Sequence, residues 1–412
     1  MATIVGNPHG FFSYTSGRWI WDEEDQLRER YREFDILELQ KVAMESASAE
    51  SCVRMEKLGE GSYNNFFLLT MANGKAVAAR IPNPNAGPVV LTTASEIATM
   101  DFLREILQVP VPKVLAWNAT VNFANRVGAE YIIMEHAPGK NLADYRADMS
   151  LEHMGVSISG TTHHRVLILQ WSKATACHPN SKKVLLDNSL LGRSSTQFWR
   201  KQRGDMNIDR GPWRSAADYL KALAPRERAW IEKQATPRPP DDPLFMSHSQ
   251  NNPTEHISLL HRYISVVPYL LPKDGDLLSS FLWHIDLRTP NIFVNDNGNI
   301  TSLIDWQSTW AGPLFFEARH PYFLNYNGEL LLELPEDFKQ LDEDTQTVVK
   351  DQVTRSILLY LYEKYTAERN PLLSRVLQYP NGMIMTDPVR FVGSTWDEDI
   401  LPLRKSLIRV QK

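Results

Sequence analysis

The chain has 412 residues, of which 43% are hydrophobic and 23% charged, a globular composition with enough length for two lobes. Its 44 basic and 49 acidic residues give a net charge of -5, which excludes strong bulk attraction to nucleic acid. Two cysteines, Cys52 and Cys177, are too few for a disulfide framework. No apolar run approaches the roughly 20 residues of a membrane span, and the start MATIVGNPHGFF matches neither a secretory signal nor an Arg-rich transit peptide. The expectation is a reduced, cytoplasmic protein with no nucleic-acid or membrane partner.

In chain order, DEEDQLRERYREF places Leu27, Tyr31 and Phe34 on one helical face, and Asp35 with Glu38 opens a second helix as a capping box. These predict a helical N-terminal extension. From Cys52 the pattern becomes strands: CVRMEKLGEG, YNNFFLLTM and KAVAARIP, separated by turn residues, form a predicted meander. Thr92 or Thr93 is placed to cap a helix whose Ile97, Met100, Leu103 and Leu107 form an apolar stripe. PVPKVLAW and EYIIMEHAPGK supply two more strands, so a five-stranded sheet with one helix is complete by residue 137. The remainder reads as mostly helical, with SLLHRYISVVPYLL, TQTVVKDQVTRSILLYLYEKY and DEDILPLRKSLIRV carrying helical periodicity.

Between Ser157 and Gly204 the only acidic residue is Asp187, beside eight Lys or Arg. That segment reads as an irregular insertion, a basic surface or a misread splice pattern. Its His163, His164, Cys177 and His178 match none of the usual structural-zinc spacings.

The chemistry concentrates in HIDLRTPNIFVNDNGNITSLIDW, His284 to Trp306. Asn297-Gly298 predicts a type I′ turn between IFV and ITSLI. Folding there brings Asn291 and Asp305 onto neighbouring strands about 5 Å apart, close enough to share an ion. Asp286, on the loop before the hairpin, is left to face a hydroxyl. Mg²⁺ prefers oxygen ligands and usually takes one or two carboxylates plus phosphate oxygens, while a separate Asp handles the nucleophile's proton. Gly59 and Gly61 in LGEGSYNN lie between two predicted strands, where backbone N–H groups can cover phosphates, although a Gly-x-Gly turn is common. Arg80 on the next strand and Glu96 on the following helix stand where kinase-like folds place a phosphate-binding cation and its partner.

Together with YTSGRWIW, VAARIP, VPVPKVLAW, NIDRGPW and LIDWQ, these motifs resemble the aminoglycoside phosphotransferase and choline kinase-like family, and more narrowly the fungal altered-inheritance-of-mitochondria-type phosphotransferase-domain proteins. The resemblance covers most of 11–156 and about 198 to the C-terminus. It implies an α+β, protein-kinase-like two-lobe fold: an extension at 1–48, a small nucleotide-binding lobe at 49–137 and a large helical lobe at 138–412, irregular at 157–197. It implies Asp286 as catalytic, Asn291 and Asp305 as metal-binding, and His284 as the structural start of the catalytic loop. Gly59, Gly61, Ser62, Tyr63 and Asn64 match the phosphate-covering loop, Arg80 and Glu96 the cation and its partner, and Met134, Glu135 and His136 the hinge that meets adenine. Arg80 stands where most relatives have Lys, and Pro290 biases Thr289 toward an extended conformation.

The function so implied is an ATP- and Mg²⁺-dependent phosphotransferase acting on a hydroxyl of a small molecule, and the resemblance sets a mitochondrial location beside the cytoplasmic one although no transit peptide is seen. The alternative is a pseudokinase that binds nucleotide or serves as a scaffold. A protein kinase is disfavoured, since no Ala-Pro-Glu motif follows LIDWQ. Trp283, Trp306 and Trp310 flank the motifs as a candidate cage for a quaternary ammonium, against a core role. The acidic run EDFKQLDEDTQ reads as a helix start.

Overall fold

The computed structural model describes residues 3–5, 8–20, 22–145, 154–155, 157, 159–160, 169–170, 203–242 and 245–411. Six strands form the first sheet: β1 (Thr3–Val5), β2 (Cys52–Glu60), β3 (Asn64–Met71), β4 (Ala76–Pro82), β5 (Val114–Asn118) and β6 (Tyr131–Glu135), in the order β1-β2-β3-β4-β6-β5. The five expected strands are present. The sixth, β1, pairs parallel with β2, so the N-terminal extension is not wholly helical. Its helix α1 (Glu23–Arg30) stops before Tyr31, which is exposed, and Phe34 lies beyond the helix in the core. The single helical face expected for Leu27, Tyr31 and Phe34 is therefore replaced by a helix and a separate anchor: Phe34 packs edge-on against Phe67, which also meets Phe11. Helix α2 (Ile36–Ala47) is capped as expected, Glu38 donating its N–H to Asp35.

Helix α3 (Leu91–Asp101), extended by a π-helical turn over Phe102–Ile106, crosses the sheet. Neither Thr92 nor Thr93 caps it. The helix begins at Leu91, and the N–H of Val90 instead donates to the Glu130 carboxylate at 2.9 Å. A carboxylate from the chain entering β6 thus meets the positive helix end.

The second lobe is mostly helical, with two small sheets. In one, β7 (Lys140–Asn141) pairs with β10 (Ile292–Val294), which pairs with β11 (Ile300–Leu303). In the other, β8 (Leu169–Gln170), β9 (Ser280–Trp283) and β12 (Trp310–Pro313) lie side by side in the order β12-β9-β8, a sheet that helical periodicity did not announce. Helices Ala216–Gln234, Pro253–Val266, Glu343–Arg369 and Ile400–Gln411 supply much of the lobe's core, and Asp342 caps the third of these, as the acidic run implied. Among the described residues no helix is long and apolar enough to cross a membrane. His163, His164, Cys177 and His178 lie outside the described residues.

Two local expectations are corrected. The β10–β11 connection closes with Gly298 N–H donating to Asn295 and Asn295 N–H to Asn299, and only Gly298 has positive φ (75°). This is a type I turn followed by a left-handed glycine, not type I′, and the Asn295 side chain stabilises it by accepting from the N–H groups of Asn297 and Asn299. Trp283 and Trp310 are register partners across β9 and β12, and both they and Trp306 are buried, so the three are core rather than a ligand cage.

Gly139 joins the lobes. Its φ is 97°, and a Cβ there would collide with the Val294 carbonyl and the Thr301 hydroxyl. Left-handed backbone and a steric clash add, so Gly139→Ala is expected to lose about 2–4 kcal/mol of stability in urea unfolding.

Candidate active site

The loop between β9 and β10 is built around a neutral histidine. His284 is buried, which lowers its pKa; Nε2–H meets the Ile304 carbonyl at 3.0 Å while Nδ1 accepts from the Asp286 N–H at 3.2 Å. Its ring packs edge-on against Trp306. One imidazole thus ties Asp286 to the residue before Asp305. Asn291 completes the loop: Nδ2 donates to the Asp286 carbonyl at 2.9 Å and lies 3.3 Å from Asp286 Oδ2, so the amide oxygen is the side-chain atom with the chemistry to meet a cation. Thr289 is not extended. Thr289–Asn291 form a 3-10 turn, closed by Asn291 N–H to Arg288 and held by Asn141 Nδ2 on the Pro290 carbonyl at 2.8 Å, so tertiary bonds override the pre-proline preference.

Asp305 follows β11 with φ 62°, an uncommon conformation for a non-glycine residue. Asn291 faces it across the hairpin, accepting from the Ile304 N–H. Oδ1 of Asp305 is buried with no hydrogen-bond partner.

Arg80 is buried beneath the first sheet and ion-paired with Glu96 of α3. Burial pulls the guanidinium down to about 10, against the fields of Asp305 and Glu130, so it remains charged at neutral pH. Its Nη2 donates to Gln307 Oε1 at 2.8 Å, and Asn64 Nδ2 donates to the same oxygen at 2.7 Å. Gln307 Nε2 reaches the Ala86 carbonyl. Gln307 was not singled out from the sequence; its signal was its place two residues after Asp305 in LIDWQ.

The glycine loop divides in two. Ser62 is exposed, whereas Asn64 turns inward to Gln307 and the Tyr63 carbonyl accepts from Asn83. A Cβ on Gly59 or Gly61 would meet no atom within 4 Å, so the protein's own packing does not demand glycine there. Between them, the Glu60 side chain is 1% exposed. It accepts from Thr15 and Lys57, while Lys57 also donates to the Gly10 and Ser13 carbonyls at 2.9 Å. Burial pushes Glu60 up, yet bonds from Lys57, Thr15 and Ser16 hold it below its ordinary range. The N-terminal segment therefore straps the loop.

Met134 and Glu135 end β6. The Glu135 N–H is committed to the Lys113 carbonyl, and its carboxylate to the Lys113 N–H and Arg104. Of the hinge residues, His136 lies past the strand.

Among the described residues no group of three His, Cys, Asp or Glu is placed to hold a metal. The Asn291 amide oxygen and the Asp305 carboxylate are hard oxygen donors, and a buried carboxylate oxygen without a partner suits a divalent cation completed by phosphate and water.

A strand-rich lobe, its buried Arg80–Glu96 pair, a hinge and a loop-hairpin bearing Asp286, Asn291 and Asp305 define a protein-kinase-like two-lobe fold. No family model matches the chain. A subtelomeric hrmA-associated cluster protein of Aspergillus fumigatus is 31% identical over 403 residues, covering 87% of this chain and 79% of that one, and the chain belongs to its family. Altered inheritance of mitochondria protein 9, mitochondrial, of Yarrowia lipolytica is 21% identical over 459 residues, covering 98% of this chain and 77% of that protein. The GDP and kanamycin complex of an aminoglycoside phosphotransferase, APH(2")-IIIa, aligns with a TM-score of 0.42 at 13% identity, over 91% of this chain and 97% of that one.

Gln307→Leu would leave Arg80 and Asn64 donors buried without their shared acceptor. At about 1–3 kcal/mol per unsatisfied group, it is expected to cost about 2–6 kcal/mol in denaturant unfolding, well beyond a surface substitution.

Proposed function

We propose that the chain is an ATP- and Mg²⁺-dependent phosphotransferase that moves a γ-phosphoryl group to the hydroxyl of a small molecule. One observation carries the reading: Arg80 is paired with Glu96 and, through Gln307, joined to the segment bearing Asp305. Phosphoryl transfer in kinase-like sites needs both the cation–glutamate pair and the metal-binding Asp in place.

In this reading Arg80 uses one terminal nitrogen on Glu96 and another on Gln307, and its remaining guanidinium donors hold phosphate oxygens. The backbone of Gly59 to Tyr63 covers the phosphates, and the chain after Glu135 meets the base. Asn291 and Asp305 would hold Mg²⁺, which neutralises phosphate charge when bound. Asp286 orients the acceptor hydroxyl and takes its proton, His284 and Asn291 fixing its backbone and carboxylate.

Thermal unfolding tests it. At a ligand concentration near 100 times Kd, Mg²⁺-ATP should add about 2.7 kcal/mol of stability to the wild type and much less to Asp305→Ala. Asp286→Asn should keep that shift while turnover falls roughly 10²–10⁴-fold. A wild type with no Mg²⁺-dependent shift would instead support the pseudokinase reading.

A further inference from the structure

The arginine at 288 stands against the carboxylate to which this reading gives the acceptor. Nη2 of Arg288 donates to Asp286 Oδ2 at 2.6 Å, the oxygen that Asn291 also approaches. The Asp286 side chain is 29% exposed and that of Arg288 55%. A second arginine, Arg319, donates to the Ile285 carbonyl at 2.5 Å, one residue before Asp286, and lies over the Tyr322 ring. Asn141 and Arg319 also hydrogen-bond this loop from other elements, through the Pro290 and Ile285 carbonyls.

We propose that Arg288 is a specificity-determining residue that selects acceptors bearing an anionic group, a carboxylate or phosphate close to the reacting hydroxyl. The inference rests on the phosphotransferase reading and deepens it. A half-exposed ion pair is cheap to exchange, because water already solvates both partners. An incoming carboxylate or phosphate takes the guanidinium bidentately, which draws Arg288 off Asp286 and returns Oδ2 to the acceptor. A cationic amino alcohol or aminosugar gains nothing of this kind and meets a like charge beside the base. The loop thus carries attraction toward one class of alcohol and repulsion toward the other.

The test is ADP release from Mg²⁺-ATP with three groups of alcohols: glycerol 3-phosphate and gluconate, then glycerol and glucose, then choline and kanamycin. The wild type, Arg288→Gln and Arg288→Lys are compared. The expected result is a kcat/KM at least tenfold higher for the anionic group over the cationic group in the wild type. Arg288→Gln should erase that preference chiefly through KM, and Arg288→Lys should retain part of it. Preference for the cationic or neutral group in the wild type overturns the inference while leaving phosphotransfer standing. So does a loss in Arg288→Gln that is equal for all alcohols, which would make Arg288 a positioning residue for Asp286. An anionic preference that survives Arg288→Gln overturns it too. If no alcohol releases ADP and Mg²⁺-ATP gives no thermal shift, the phosphotransferase reading itself fails, and this inference with it.

Discussion

The guanidinium of Arg80 is the constraint on which the rest of the structure depends. A buried, unpaired charge is too costly to keep, and breaking a buried pair typically costs about 3–5 kcal/mol. Here the charge is met from two directions. Glu96 answers it from α3, within the same lobe, while Gln307 and the field of Asp305 answer it from the segment after the β10–β11 hairpin. Because Gln307 is also the acceptor for Asn64, the chain leaving the glycine loop, the Arg80 cation and the segment bearing Asp305 share one side-chain oxygen. Separating them exposes two buried donors at once. Contact between the two lobes is therefore linked to the desolvation of Arg80, and a larger, permanently charged arginine serves that link better than a lysine able to shed its proton on burial.

The same economy appears on the other side of the cleft. Asp305 holds a left-handed backbone, a strain that persists only where neighbours over-determine it. They do: Ile304 before it bonds both His284 and Asn291, Trp306 after it is buried against His284, and Gln307 is tied to Arg80. The hinge adds a further restraint, since β7 is a strand of the sheet that carries the hairpin and Asn141 grips Pro290. The small lobe is thus joined to the loop bearing Asp286 through hydrogen bonds as well as through the chain at Gly139.

Much of this was legible in the sequence because the signals were local. The meander of strands, the Asp35 cap and the sequence of Asp286, Asn291 and Asp305 about a hairpin follow from periodicity, turn residues and side-chain chemistry acting within a few residues. What escaped was long-range. The cap of α3 comes from Glu130, some 40 residues away; β9 and β12 pair through tryptophans that read equally well as ligand cage or core; Thr289 yields to a bond from Asn141. Gln307 has no local role that a pattern reveals, since its worth lies in touching Asn64 and Arg80, more than 200 residues earlier. The turn at Gly298 was located correctly and typed wrongly, because Asn295 supplies side-chain bonds that favour a longer loop.

The glycine loop shows how a weak motif acquires definition from its surroundings. Two glycines without a third describe a common turn, and neither glycine is required by packing. Position comes instead from the glutamate between them. Glu60 is buried under the first residues of the chain, and Lys57 binds two carbonyls of that same segment, so opening the loop means removing the strap or leaving a carboxylate and an ammonium without their donors and acceptors. Phe11 fixes the strap in turn by packing on Phe67 within the sheet core. A loop built this way relies less on backbone freedom than on being held in place, by Lys57 of β2 and by residues of the N-terminal extension together.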